Sequence, residues 1–245
     1  RADVCNAVEE LGQLLDHTGP VAASERNAAR IFSADHLFFV TNGTSTSNKI
    51  VWHSTVAPDD IVVVDRNCHK SILHAIIMTG AIPVFLMPTR NNFGIIGPIP
   101  KSEFLWETIQ EKIAANPFAR ESQARNPGTK PRVLTITQST YDGILYKVEA
   151  IKERLDGKID TLHFDEAWLP HATFYDFYKG MHAIGRDRPR CKDSMLFSTQ
   201  STHKLLAGLS QASQILVQDS EARQLDRDVF NEAFLMHTST SPQYA

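Results

Sequence analysis

The sequence predicts an α/β protein built on a mostly parallel, doubly wound sheet. Seven short apolar runs alternate with segments of helical periodicity, which is typical of parallel strands joined by helices. Several runs are continuous stretches of Val, Ile, Leu and Phe, as expected for strands that are covered on both faces. The predicted strands are His36–Thr41, Asp60–Asp65, Ile82–Met87, Arg132–Thr137, Thr161–Asp165, Met195–Thr199 and Gln214–Gln218.

The helical patterns lie between these strands and at both ends of the chain. Two polar segments that contain proline, Asn116–Pro131 and Gly185–Asp193, are predicted to be surface loops. The predicted helices cover residues 4–15, 45–56, 69–79, 101–115, 147–156 and 220–236.

Composition narrows the class of protein. The 245 residues, 42% of them hydrophobic, suffice for one large α/β domain or two small ones. A net charge of −3 gives no reason to expect a nucleic-acid partner, and no apolar run approaches the ~20 residues of a membrane span. The cysteines Cys5, Cys68 and Cys191 are odd in number and widely spaced, which favours free thiols in a reducing compartment. The chain has no initial Met, and both ends look cut, so we expect one domain of a longer polypeptide.

Lys204 ends the run Ser198–Lys204, which begins within a predicted strand and continues just beyond it. A lysine held against an apolar wall tends to lose its proton, because burial disfavours the charged form. A neutral amine beside hydroxyl groups is what a Schiff-base enzyme requires. The alternative is an ordinary solvated lysine.

The turn Thr41–Ser47 joins a predicted strand to a predicted helix. Gly43 permits a tight turn, and Thr44 and Ser45 can cap the helix and bind a phosphate at its positive end. The alternative is an N-cap without a ligand. The turn matches neither the lysine-bearing P-loop nor the dinucleotide fingerprint.

A second strand end carries the segment Asp65–Ser71. His69 in this segment has the chemistry to stack on a flat heterocycle or to transfer protons, and the alternative is a hydrogen-bonded core histidine. Cys68 precedes it, but adjacent residues rarely point at each other, so a thiol nucleophile is not expected.

A third strand end carries an acid, Asp165, within the segment His163–Trp168. Such an acid is either a helix cap or the partner of a cation. If a pyridine ring binds here, Asp165 would keep its nitrogen protonated by charge pairing. His163, Asp165 and His171 could also be metal ligands, but their spacing fits no zinc signature, so we expect no metal.

Taken together, these segments resemble the bacterial, fold-type-I lysine/arginine/ornithine decarboxylases, which depend on pyridoxal phosphate (PLP). The resemblance runs through almost the whole chain. It implies that residues 1–245 form the three-layer, PLP-binding large domain with its seven-stranded sheet, and that an N-terminal wing region and a C-terminal domain lie outside them. The matching segments are Leu14–Pro20, Thr41–Thr46, Asn67–Ser71, Pro88–Asn91, Ser139–Gly143, Phe164–Trp168, Thr199–Lys204 and Ser210–Ser213.

The resemblance implies catalytic roles for three residues. Lys204 would be the Schiff-base lysine, Asp165 would pair with the pyridine nitrogen, and His69 would stack on the ring. Further residues would contact the phosphate, the Schiff-base region or the ring, two of them from a neighbouring subunit. Those in the same subunit are Thr44, Ser45, Trp168, Ser201 and His203, and those from the neighbour are Ser239 and Thr240.

The implied activity is decarboxylation of arginine, lysine or ornithine to the amine and carbon dioxide. The resemblance also implies a cytoplasmic homodimer or higher homo-oligomer with shared sites, with no nucleic-acid or membrane partner. Two alternatives stay open: another fold-type-I reaction, such as that of an aminotransferase or aldolase, and a non-catalytic relative. Retention of Lys204, Asp165 and His69 argues against the non-catalytic relative.

Overall fold

The structure is a computed structural model that describes residues 10, 12–186 and 188–238. Within these residues, seven strands form one sheet in the order 1-7-6-5-4-2-3. The strands are β1 (His36–Val40), β2 (Ile61–Asp65), β3 (Ile82–Leu86), β4 (Val133–Thr137), β5 (Thr161–Asp165), β6 (Met195–Ser201) and β7 (Ser213–Gln218).

The sheet is mostly parallel, as predicted. Strand β2 pairs in parallel with β3 and β4, and the parallel ladder continues through β5 to β6. Strand β7 runs antiparallel to both of its neighbours, β6 and β1. Strand β1 therefore points the same way as β6, and six strands end at one edge of the sheet. All seven predicted strands are confirmed, each to within two residues.

Helices cover both faces of the sheet, which makes three layers. Neighbouring residues along a strand belong to opposite faces: Val62 and Val64 pack with Trp52 on one side, whereas Ile61 and Val63 belong to the cluster on the other. The helices are α1 (Gly19–Phe32), α2 (Thr44–Thr55), α3 (Lys70–Thr79), α4 (Trp106–Ala115), α5 (Pro117–Arg125), α6 (Val148–Leu155), α7 (Thr202–Leu205) and α8 (Arg227–His237).

The core clusters assign most of these helices to a layer. Buried side chains of α2, α3 and α8 pack on one face, and those of α1, α4, α5 and α6 pack on the other. Short 3₁₀ helices occupy Lys101–Phe104, Pro170–Phe174 and Asp176–Tyr178. None of the helices in the described part of the chain combines the length and apolar character that a membrane crossing requires.

The loop prediction for Asn116–Pro131 is wrong, because helix α5 occupies its first half. The Asn116 side chain accepts hydrogen bonds from the backbone N–H groups of Phe118 (3.0 Å) and Ala119 (3.3 Å), and Pro117 holds the first helical position. Asn-Pro is therefore a helix start here rather than a loop signal. The Ala119 side chain is buried against the core.

Three predicted helices also have a different extent or fate in the structure. The 101–115 helix divides into a 3₁₀ turn and α4, which begins at Trp106. The 220–236 helix begins only at Arg227, because Asp226 caps it by accepting from the N–H groups of Asp228 and Val229. Most of the predicted 4–15 helix lies outside the described residues, and its described part from residue 12 onward is not helical.

Helix α1 escaped prediction because its buried face is not an apolar stripe. Small alanines alternate there with a buried acid, Glu25. One Glu25 oxygen accepts from the Phe39 backbone N–H at 2.9 Å and lies 2.9 Å from His17 Nδ1. The Glu25 carboxylate therefore links α1 to β1, although hydrophobic periodicity alone predicts that a glutamate faces the solvent.

Phe230 on α8 gives a direct test of this packing. It is fully buried, and its ring stacks on Phe38 of β1 with centroids 4.3 Å apart. We expect Phe230→Ala to lower the free energy of unfolding by about 3–5 kcal/mol, because it leaves a cavity between helix and sheet. The neighbouring Val229→Ala, at a site that is 46% exposed, should change it by no more than about 0.5 kcal/mol. Urea unfolding measures both, and equal losses would contradict the assigned face of α8.

Candidate active site

The carboxyl edge of the sheet surrounds a cavity of about 670 Å³. Its walls come from the segments that follow β1, β2, β4, β5 and β6, which converge there because those strands end at one edge. This is where open α/β sheets bind ligands. All eight predicted site residues within the described chain line this cavity: Thr44, Ser45, His69, Asp165, Trp168, Ser201, His203 and Lys204. Ser239 and Thr240 lie outside the described residues.

Asp165 ends β5 with its side chain buried at the floor of the cavity. One carboxylate oxygen accepts from Asn48 Nδ2 at 3.0 Å, and the other accepts from the Ala167 N–H at 3.2 Å. Burial raises the pKa of the Asp165 carboxyl above its ordinary value, while these two donors and the nearby charges of His69 and Lys204 act against that rise. A cation that enters the cavity would therefore favour the ionised form.

His69 is the N-cap of α3, one position before the helix begins at Lys70. Its Nδ1 accepts from the Ser71 backbone N–H at 3.2 Å and lies 2.8 Å from Ser71 Oγ. Burial lowers the pKa of the ring, with Asp165 acting in the opposite direction, so the ring is neutral at pH 7. The structure thus offers a neutral, oriented imidazole next to Asp165.

Lys204 lies on the single turn α7, just beyond β6. Its Nζ is 3.5 Å from Tyr141 Oη, the outer limit of a hydrogen bond. The same atom lies 5.6 Å from the Tyr141 ring centroid and 5.7 Å from that of Trp168. Both ring distances lie within the roughly 6 Å over which an aromatic face attracts a cation.

A polar cradle lies at the opening of α2. Gly43, with φ +76°, lets the chain turn from β1 into the helix, and its N–H donates to the Gln211 carbonyl at 2.7 Å. Thr44 Oγ1 lies 2.6 Å from Ser201 Oγ, so the start of α2 meets the end of β6 here. The first N–H groups of α2 have no partner within the helix, and together with these hydroxyls they form a polar corner whose donors suit an anion.

His203 borders the cavity beside this cradle. Its Nδ1 donates to the Ala212 carbonyl at 2.7 Å, which fixes the proton on that nitrogen. The other ring nitrogen, Nε2, is left as the group that this residue can offer to a ligand.

Sequence reasoning missed two residues of this site. Asn48 is fully buried and donates to Asp165, and the Tyr141 hydroxyl lies 3.5 Å from the Lys204 amine. Tyr141 lies in the segment Ser139–Gly143 that resembles the decarboxylases, but the resemblance implied no role for it. The only signal for Asn48 was its spacing of four residues from Thr44, which places both on one face of α2.

The metal alternative has no geometric support in the described residues. His163 is buried, with its ring nitrogens next to Thr135 and Thr199, and His171 is exposed at the surface. Within residues 10, 12–186 and 188–238, no group of three or more His, Cys, Asp or Glu side chains is placed to hold a metal ion.

The comparison with known proteins defines the family. The whole chain, residues 1–245, matches the family model described as Orn/Lys/Arg decarboxylase, major domain. The chain therefore belongs to the Orn/Lys/Arg decarboxylase family, which confirms the resemblance.

Two curated relatives illustrate the similarity. Lysine decarboxylase LdcA from Pseudomonas aeruginosa is 58% identical over 244 residues, which cover 100% of this chain and 32% of that protein. The biodegradative arginine decarboxylase from Escherichia coli K12 is 42% identical over 245 residues, again 100% of this chain and 32% of the relative. The chain thus spans about a third of the length of these relatives.

Solved structures agree with the fold. Lysine decarboxylase A from Pseudomonas aeruginosa superposes with a TM-score of 0.90 at 58% identity, covering 100% of this chain and 32% of that one. A structure of SPT with PLP superposes with a TM-score of 0.63 at 10% identity, covering 99% of this chain and 52% of the other, and it shows the fold alone. The chain has the three-layer fold of fold-type-I PLP enzymes, as predicted.

Cys68 lines the cavity, and its chemistry is testable. Burial raises the pKa of the Cys68 thiol to about 12, with the charge of Asp65 adding to the effect. At pH 8 we expect iodoacetamide to alkylate it about a thousandfold more slowly than a free thiol of pKa ≈ 8.5, because the thiolate is the reactive form. Peptide mass spectrometry follows the reaction, with urea-unfolded protein as the control. Equal rates in folded and unfolded protein would contradict the raised pKa of the Cys68 thiol, and a faster rate in the folded protein would show an activated cysteine instead.

Proposed function

We propose that this chain is the cofactor-binding large domain of a PLP-dependent decarboxylase that converts a basic amino acid to its amine and carbon dioxide. One observation carries the proposal: the Asp165 carboxylate, the His69 imidazole and the Lys204 amine border one cavity at the carboxyl edge of the sheet. Family membership supports it, because the relatives are named as lysine and arginine decarboxylases.

The groups around the cavity fit PLP in chemical type. PLP offers a basic pyridine nitrogen, an aldehyde and a phosphate. Asp165 is a buried acceptor suited to a protonated ring nitrogen, and Lys204 is an amine suited to the aldehyde. The remaining groups suit the phosphate: they are the opening of α2 with Thr44 and Ser45, together with Ser201 and His203.

PLP, when bound, would supply an electron sink for the pair of electrons left when the bond from Cα to the carboxylate breaks. Asp165 would hold the proton on the pyridine nitrogen by charge pairing, which is strong because the carboxylate is buried. His69 would orient the ring as a neutral stacking partner. Trp168 and Tyr141, whose rings pack edge to face with centroids 4.7 Å apart, would flank the Lys204 amine and limit its orientations.

Lysine is the favoured substrate within this proposal. The lysine decarboxylase relative is 58% identical to the chain, whereas the arginine decarboxylase is 42% identical.

The competing fold-type-I reactions, those of an aminotransferase or aldolase, would need the same phosphate corner, acid and amine. Only the reaction product therefore distinguishes them from decarboxylation.

The remaining proposals concern the whole protein. We propose that residues 1–245 are the large domain of a longer, cytoplasmic chain that forms homo-oligomers with shared sites, in which Ser239 and Thr240 contact the neighbouring subunit's cofactor. The length of the relatives supports the longer chain. The free thiols of Cys68 and Cys191 suit a reducing compartment.

The first experiment tests Lys204 in the full-length protein. With PLP and borohydride, we expect a reduced label on Lys204 and release of carbon dioxide from lysine, arginine or ornithine. Lys204→Ala should lose both, whereas Lys147→Ala, at an exposed lysine away from the cavity, should keep both. A label on another lysine would refute the assignment. Transamination without carbon dioxide release would favour an aminotransferase.

The second experiment tests Asp165. Asp165→Asn should keep some PLP but lower kcat by about 150- to 5,000-fold, because breaking a buried ion pair costs about 3–5 kcal/mol. Steady-state rates and the absorbance of bound PLP separate the two effects. A variant with near-normal kcat would contradict the charge-pairing role.

A further inference from the structure

A buried chain of hydrogen bonds runs beneath Asp165 and His69. We call it the Trp52–Asn48 relay; its members are Trp52, Thr135, His163, Thr199 and Asn48, all with 0% exposure. Trp52 Nε1 is 3.2 Å from Thr135 Oγ1, which is 3.2 Å from His163 Nδ1. His163 Nε2 is 3.0 Å from Thr199 Oγ1, which is 2.7 Å from Asn48 Oδ1.

The direction of these bonds is set at the Trp52 end. An indole N–H can only donate, so Thr135 Oγ1 accepts from Trp52. The one hydroxyl proton of Thr135 then points onward to His163 Nδ1. This nitrogen is therefore the unprotonated, accepting nitrogen of the ring.

The Asp165 end gives the same direction when its carboxylate is ionised, as the proposed function requires. An ionised carboxylate only accepts, so Asn48 must present its NH₂ group to Asp165 and its Oδ1 to Thr199. The hydroxyl proton of Thr199 is used on Asn48 Oδ1, and Thr199 Oγ1 therefore accepts from His163 Nε2. The two ends agree on a neutral His163 with its proton on Nε2, and burial lowers the pKa of this ring to about 3.

Asn48 connects the relay to both residues at the cavity. One hydrogen of its Nδ2 reaches Asp165 (3.0 Å), and the other reaches Ser71 Oγ (2.9 Å). Because Ser71 Oγ accepts from Asn48, its own proton is free to point to His69 Nδ1, 2.8 Å away. One amide thus presents a donor to Asp165 and leaves the Ser71 hydroxyl to join the Ser71 backbone N–H in donating to His69 Nδ1.

We propose that Asn48 is a positioning residue that holds Asp165 as a hydrogen-bond acceptor and, through the Ser71 hydroxyl, reinforces the Nε2–H form of His69, and that the relay from Trp52 fixes the direction of its amide. A reversed amide would bring Asn48 Oδ1 against the Asp165 carboxylate. The reversal would also remove the acceptor of the Thr199 hydroxyl, because the Asn48 NH₂ group would then face it. The inference rests on the proposed function, since it assigns Asp165 to the pyridine nitrogen.

A merely structural relay is the competing explanation, because buried polar groups need hydrogen-bond partners in any fold. The two explanations differ in what a break in the relay does. A structural relay affects stability alone. A positioning relay also changes the affinity for PLP and the pH dependence of the bound cofactor's absorbance.

Thr199→Val in the full-length protein breaks the relay with little change in shape. We expect it to raise the Kd for PLP, measured by fluorescence titration of the apoenzyme, by about tenfold or more, because a hydrogen bond to a charged group weakens. The pH midpoint of the bound cofactor's absorbance should move with it. Thr199→Ser keeps the hydroxyl and should restore both values. Thr161→Val, at a buried threonine of β5 outside the relay, is the matched control.

The outcomes separate this inference from the proposed function. If wild-type protein is labelled at Lys204 and releases carbon dioxide, but Thr199→Val matches Thr161→Val in PLP affinity and pH midpoint, then the relay is structural and the inference fails alone. If wild-type protein takes no label at Lys204, the proposed function fails and takes the inference with it.

A second measurement needs no variant that has to fold. A neutron structure of the full-length holoenzyme should show deuterium on His163 Nε2 and none on Nδ1, with Asn48 donating to Asp165. Deuterium on His163 Nδ1, or an Asn48 oxygen facing Asp165, would overturn the inference.

Discussion

The constraint on which this site depends is the burial of the Asp165 carboxylate. A buried charge is costly unless donors or cations compensate it. The fold supplies one donor from the turn after β5, the Ala167 N–H, and one from the facing helix, the Asn48 amide. It also places His69 and Lys204 near enough to act on the same carboxyl electrostatically. These neighbours belong to four separate segments of the chain, so the position of Asp165 constrains the packing of all four.

Helix α2 unites several of these demands. Its first turn forms the polar corner with Thr44, its second presents Asn48 to Asp165, and its third inserts Trp52 into the core under β4. One rigid element therefore fixes the distance between this polar corner and the buried acid. Parallel strands bring distant segments of the chain together at their carboxyl ends. Thr44 and Ser201, for example, touch although 157 positions separate them.

Local patterns predicted the strands well, because strands that are covered on both faces are mostly apolar, and β2 shows this directly from Ile61 to Val64. They failed for α1 and α5. In α1 the buried Glu25 breaks the apolar stripe, and in α5 the cap made by Asn116 looks like loop chemistry until its partners are seen. The strand-end residues of the site were predictable because side chains at those ends must meet. Asn48 was not, because its environment depends on which strand α2 packs against.

The sequence by itself determined the sheet, the order of its polar strand ends, and the types of group that they carry. The length of an apolar run and the residue types in a turn are local properties, so they can be recognised without knowledge of tertiary contacts. Only the tertiary structure decided that Lys204 sits against the rings of Tyr141 and Trp168, and that one amide serves both Asp165 and His69. In the Trp52–Asn48 relay, the direction of each hydrogen bond depends on the next partner, so all five residues together set it. No single segment of the sequence contains that information.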